Sequence, residues 1–215
     1  MPIIATCSDV SDRLPELKEP VDVIVLCGSF CPIFDKNLLS WNITNQVDYI
    51  EFKLNPWLDA LPAPCKIIVG GRNDHIAEFY GHNLSYYLHA EYVQDDTINC
   101  KGMHVYGTPW IPPHMKSPDR ADAFFSAKAS KYIKAIERIP SFVDILVSNT
   151  YPREGESADL EADFALAKKI DSLSNLKLHI HSSARLIDEE NYKPKRYVSV
   201  QAPPSSEGEF AIIRI

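Results

Sequence analysis

Five short apolar runs rich in β-branched residues constrain this chain more than anything else in it. Each is closed by glycine or small polar residues. Pro2 to Cys7 ends in Ser8-Asp9, and Asp22 to Cys27 ends in Gly28-Ser29. Cys65 to Val69 stops at Gly70-Gly71, Val143 to Val147 at Ser148-Asn149, and Leu176 to His181 at Ser182-Ser183. Runs this short, bounded by turn residues, fit strands, and continuous apolar runs fit strands covered on both faces. Helical periodicity lies between them, over Ile50 to Leu61, Ala121 to Ile139 and Ser157 to Leu173. Asn99 to Thr108 reads as a hairpin turning at Lys101-Gly102. The tail, Arg196 to Val200 with Glu209 to Ile215, reads as a second hairpin. Alternating strands and helices predict one mixed α/β domain over residues 1–215, without linker or repeat.

Composition narrows the function classes. With 45% hydrophobic and 24% charged residues, the chain is expected to fold and not to be disordered. No run approaches the ~20 apolar residues of a membrane helix, and the start lacks the basic residues of a secretory leader. A net charge of −7 argues against a broad nucleic-acid surface. Five cysteines (Cys7, Cys27, Cys31, Cys65, Cys100), without Cys-x-x-Cys spacing, predict a reducing, cytoplasmic setting and give little support to a zinc site. P-loop, Rossmann and Gly-x-Ser-x-Gly patterns are absent from the sequence.

In open α/β sheets, ligands gather beyond the carboxyl ends of the strands. Those positions hold Asp9, Ser11, Ser29, Arg72, Asn73, Asp74, Asn149, Ser183 and Arg185. Each type is common in turns for conformational reasons, so their order carries the information. Cys7-Ser8-Asp9-Val10-Ser11, Cys27-Gly28-Ser29-Phe30, Val69-Gly70-Gly71-Arg72-Asn73-Asp74, Leu146-Val147-Ser148-Asn149-Thr150-Tyr151-Pro152 and His179-Ile180-His181-Ser182-Ser183-Ala184-Arg185 follow one another. Tyr106-Gly107-Thr108-Pro109-Trp110 lies between the third and fourth, and Pro56-Trp57-Leu58 with Leu61-Pro62 precedes the third strand.

This series resembles the calcineurin-like metallophosphoesterases, most closely the small single-domain subgroup that hydrolyses phosphodiesters. The likeness runs from Ile4 to about Ser199. It implies a four-layer α/β/β/α sandwich and a site at the five motifs Asp-x-His, Gly-Asp, Gly-Asn-His-Asp, a lone His, and Gly-His-x-His. The departures from those motifs decide the functional expectation. Asp9 is kept, but Ser11 stands where a His belongs and Ser29 where the metal-bridging Asp belongs. Arg72 and Asn73 replace the Asn and catalytic His ahead of the kept Asp74. Asn149, Ser183 and Arg185 stand at three further His positions. Hard divalent metals take carboxylate and imidazole ligands, and two-metal hydrolysis needs two such ions roughly 4 Å apart.

The expectation is therefore a degenerate phosphoesterase without metal, acting by binding a protein partner or a nucleotide or phosphate ligand. The ligand would meet Asp9, Ser11, Ser29, Arg72, Asn73, Asn149, Ser183 and Arg185. The guanidiniums of Arg72 and Arg185 would either grip an anion or pair with Asp9 and Asp74. Two alternatives stand beside it. One is a divergent phosphodiesterase using a single Mn or Zn ion with Asp9, Asn73 and Asp74. The other is a structural or assembly subunit. His179 and His181 share one face of a strand and read as packed histidines. The aromatics Phe79, Tyr80, Tyr86 and Tyr87, with His75, His82 and His89, read as core and rim, as a partner surface, or as a platform for a base.

Overall fold

The computed structural model describes residues 1–11, 13–35, 38–115, 122–152, 161–182, 198–205 and 208–215. Among the described residues, ten strands form in chain order: β1 (Ile3–Ser8), β2 (Val23–Cys27), β3 (Cys65–Val69), β4 (Glu91–Tyr92), β5 (Asp96–Cys100), β6 (Met103–Thr108), β7 (Ile145–Ser148), β8 (Leu178–Ser182), β9 (Val198–Ala202) and β10 (Ala211–Arg214). They make two five-stranded sheets, ordered β10-β1-β2-β3-β4 and β5-β6-β7-β8-β9. In the first, β1 to β4 run parallel and β10 closes one edge antiparallel to β1. In the second, β6 to β9 run parallel and β5 is antiparallel to β6.

Because β2 and β7 are buried at every position, they need a covering layer on both faces. Val23, Val25, Val69, Val105, Val147 and Ile180 fill the space between the sheets. The outer face of the first sheet packs Leu26 and Ile68 against Ile50, Leu54, Leu58 and Ile76. That helical layer comprises α1 (Leu39–Tyr49), a π turn (Ile50–Leu54), α2 (Asn55–Ala60) and α3 (His75–Tyr80). The outer face of the second sheet packs Tyr106 and Leu146 against Tyr132, Ile136, Leu166 and Ile170. Those residues belong to α4 (Ala129–Glu137) and α5 (Glu161–Ser172). The result is an α/β/β/α sandwich.

The expected strands appear within two residues of their predicted bounds, and the first hairpin turns at Lys101-Gly102 with Cys100 opposite Met103. Three expectations are corrected. The tail is not a hairpin, because β9 adds to β8 in the second sheet while β10 pairs with β1 in the first. The first helix begins at Leu39 and not at Ile50. Its buried face there is made of Asn42 and Gln46, so it lacks the apolar stripe that periodicity detects. The cysteines are not all free. Cys65 at the start of β3 is bonded to Cys100 at the end of β5, which ties the two sheets together, whereas Cys7, Cys27 and Cys31 are buried thiols.

Candidate functional site

The carboxyl ends of both sheets meet at one rim. Cys27 Sγ at the end of β2 lies 3.0 Å from the Ser148 carbonyl at the end of β7, and the Ser8 amide donates to the Pro203 carbonyl beyond β9. Two glycines permit this approach. A Cβ on Gly71 would sit 2.5 Å from the backbone of Gly28 and Ser29. Gly28 has φ +94°, and a Cβ there would reach 2.9 Å from Ser182 Cβ and 3.1 Å from Asp9 Oδ1.

Asp9 leaves β1 with φ 49°, in the left-handed region where Asp is better tolerated than most residues. Its Oδ1 accepts the Ser29 amide at 3.1 Å, and its own carbonyl accepts Ser205 Oγ at 2.7 Å. Burial pushes the Asp9 carboxyl above its ordinary range, against the opposing Ser29 amide, Ser8 hydrogen bond and Arg72 charge. Asp74 is fully buried and is held by backbone alone. Its carboxylate accepts the amides of Gly71 at 2.7 Å, Cys31 at 2.8 Å and Phe30 at 3.1 Å. Burial still outweighs these amides and pushes its carboxyl well up. Asp74 thus fastens the loops after β2 and β3 to each other and presents nothing to the rim.

Arg72 corrects a further expectation. Its Nη1 stands 3.7 Å from Asp122 Oδ2, its Nη2 donates to the Met115 carbonyl at 3.4 Å, and its own carbonyl accepts the Ala123 amide. It pairs with Asp122, a fully buried carboxylate, and not with Asp9 or Asp74. Its charge still reaches Asp9 as a favourable influence. The Asn73 amide donates to Ser29 Oγ at 3.3 Å, while its side-chain Oδ1 is buried without a hydrogen-bond partner among the described residues. Ser11 and Ser29 are buried. Ser183 and Arg185 lie outside the described residues.

Among the described residues, the second sheet brings neutral groups to the rim. Asn149 Nδ2 donates to the Pro109 carbonyl at 3.2 Å, and Ser182 Oγ lies 2.5 Å from the Asn149 carbonyl and 3.0 Å from its Oδ1. Ser148 Oγ donates to the Thr150 carbonyl, which leaves it to accept from His179 Nε2 at 2.8 Å. The rings of His179 and His181 are 5.3 Å apart. Burial lowers both, His179 well below its ordinary value and His181 to about 4. Both lie in β8, His179 fully buried and His181 partly exposed.

Several of these residues escape sequence reasoning. Ser8, Ser182 and Ser205 bridge the strand ends, and their one signal is a hydroxyl beside a turn. Gln46 of α1 donates to the Asn73 carbonyl at 2.7 Å and accepts the Ile76 amide at 2.9 Å, fixing the loop that carries Arg72 and Asn73. A lone Gln in a polar helix gives no signal of such a role. Among the described residues, no group of three or more His, Cys, Asp or Glu side chains is arranged to hold a metal ion.

The architecture is similar to that of TT1561 of Thermus thermophilus, with a TM-score of 0.59 at 16% identity, over 99% of this chain and 93% of that one. The chain has the calcineurin-like metallophosphoesterase fold. In that fold the rim described above is where strand-end loops of both sheets converge. The sequence is 24% identical to a UPF0046 protein of Caenorhabditis elegans, over 89% of this chain. It spans 65% of that relative's length. No family model matches the sequence.

Proposed function

We propose that this chain is a calcineurin-like fold that does not carry out two-metal hydrolysis and acts by binding a protein partner. The observation that carries the reading is the inward bonding of the rim. Asp74 accepts three backbone amides, Asp9 Oδ1 accepts the Ser29 amide, and Asn149 and Ser182 bond to each other and to Pro109. Two divalent cations need several carboxylate or imidazole donors. Asp9 with hydroxyls, carboxamides and a guanidinium does not fit that need, so no catalytic step is derived through metals. In the aligned motifs, Ser11, Ser29, Arg72, Asn73 and Asn149 take the places of the usual ligands and catalytic His. A protein partner is favoured over a nucleotide because Arg72, the cation described at the rim, is engaged by Asp122 and Met115. The three buried thiols outside the disulfide favour the cytoplasm, and the Cys65–Cys100 bridge is the observation against it.

The test is elemental analysis of purified protein after a soak in manganese or zinc, with a phosphodiesterase assay on bis-p-nitrophenyl phosphate. The expected result is no metal retained after desalting and no turnover above the metal-only blank. Near-stoichiometric metal, with turnover lost in Asp9→Ala, would overturn the reading in favour of a hydrolase. A melting temperature raised by nucleotides would replace the protein partner by a phosphate ligand.

A further inference from the structure

Eight of the twelve large apolar side chains exposed among the described residues fall between residues 34 and 87. They belong to the helical layer of the first sheet and the segments beside it. Exposed apolar side chains scattered singly need no explanation, but contiguous ones mark interaction sites. Part of this set is contiguous. The Phe79 ring lies 5.1 Å from Tyr80 at an interplanar angle of 83°, and Tyr80 lies 5.2 Å from Tyr87 at 54°. Phe79 is 68% exposed and Tyr87 45%. The backbone beneath is fixed from both ends, by the Ile76 amide on Gln46 and by Asn55 Nδ2 on the Tyr87 carbonyl at 2.8 Å. Phe52, 65% exposed, lies on the stretch of helix between Gln46 and Asn55. Rigidly placed aromatics of this kind lose little side-chain entropy when covered, which is why interfaces favour them.

The charge around the ladder selects the occupant. Asp48, Glu51 and Glu78 are exposed on this layer, and Asp59, also exposed, is paired with His89 at 2.9 Å. Lys53, with Lys131 close enough to act on Glu78, offsets them in part. A second copy of the chain would bring the same carboxylates against each other, and an anionic bilayer would meet a chain of net charge −7. A cation fits both features, since it can lie over the ring faces and reach a carboxylate at the rim.

We propose that the Phe79–Tyr80–Tyr87 ladder is a docking surface for a basic protein segment bearing arginine or lysine between apolar residues. This rests on the reading of the chain as a binding protein, and it names the partner's chemistry and the face that receives it.

The test uses a short dye-labelled peptide of alternating arginine and leucine, titrated by fluorescence anisotropy. Its partners are the wild-type chain and a Phe79→Ser, Tyr87→Ser double variant. The variant loses the ring contacts with Tyr80, so a modest fall in melting temperature is expected, and a single cooperative transition confirms that the fold is intact. A peptide with glutamate in place of arginine serves as the charge control. The expected result is saturable binding of the arginine peptide, weakened about tenfold or more in the double variant, with no binding of the glutamate peptide. Equal affinity for both proteins, comparable binding of the glutamate peptide, or no binding would overturn the proposal. So would a concentration-dependent dimer in sedimentation that the double variant abolishes, since the face would then belong to a second copy. None of these outcomes touches metal content or phosphodiesterase turnover, so failure here is separable from failure of the functional reading.

Discussion

The strand ends of the two sheets meet at one rim but are built from different chemistry. The first sheet contributes charge: Asp9 and Asp74, both held by backbone amides, and Arg72 beside them. The second contributes, among the described residues, neutral hydroxyls, a carboxamide and imidazoles, mostly bonded to carbonyls and to one another. Desolvation acts on both and moves protons in opposite directions. It raises the carboxyls of Asp9 and Asp74 and lowers the imidazoles of His179 and His181. In the first sheet the donors are backbone, so the bonds exist only while the loops after β2 and β3 keep their shape. In the second sheet side chains provide many of the bonds, so one can be removed with less disturbance elsewhere.

The sharpest way to break this contrast is Asp74→Ala. It leaves the buried amides of Gly71, Phe30 and Cys31 without their acceptor, and each orphaned donor carries a desolvation cost. A loss of about 4 kcal/mol in urea unfolding is expected. Asp74→Asn should lose less, since one carbonyl oxygen remains, though its amide group then faces donors. A cost for Asp74→Ala below about 1 kcal/mol would mean that the loops hold without the carboxylate.

Much of this arrangement is legible in the sequence, and the exceptions have physical causes. The five strands are legible because burial on both faces leaves an unbroken apolar run. Gly-Thr-Pro-Trp is legible as a motif, and the structure gives it a structural role. The Thr108 carbonyl accepts the Asn149 amide at 3.0 Å, and Trp110 Nε1 donates to Asp95 at 2.5 Å. The start of α1 is hidden because Asn42 and Gln46 anchor it through amide hydrogen bonds and not through an apolar stripe. The tail misleads because two β runs joined by a short Pro-rich connection look like a hairpin. Which sheet each joins depends on edges formed far away in sequence. For Arg72 no local pattern points to Asp122, fifty residues on, over the nearer-looking Asp9 and Asp74.

Acidification separates the two sheets next. A histidine buried as the neutral form has a folded value below its unfolded one, near 6.5. Its contribution to stability is whole above that value and is lost as the pH falls from about 6.5 toward the folded value, which for His181 is about 4. Between pH 7 and pH 5 this one group should cost about 2 kcal/mol. The raised carboxyls work in the other sense. Asp9 and Asp74 are strained by charge at neutral pH, and protonation relieves them. His181→Gln isolates the imidazole term, because its urea midpoint should fall less between pH 7 and pH 5 than that of the wild type. Parallel pH profiles for the two proteins would show that His181 is not buried as neutral imidazole.

The smallest expected effect lies at Ser182. Its hydroxyl serves the Asn149 carbonyl and side-chain oxygen, while Asn149 Nδ2 stays bonded to the Pro109 carbonyl. Ser182→Ala removes one donor and keeps the Cβ against which Gly28 packs, so the loop after β2 keeps its neighbour. One lost hydrogen bond to a neutral acceptor costs about 1 kcal/mol, and the variant's urea midpoint should reflect that. A loss of about 3 kcal/mol or more would place it in the range expected for a buried charged group. The second sheet's end would then depend on single groups as strongly as the first depends on Asp74. The distinction between a backbone-held charged end and a side-chain-held neutral end would no longer stand.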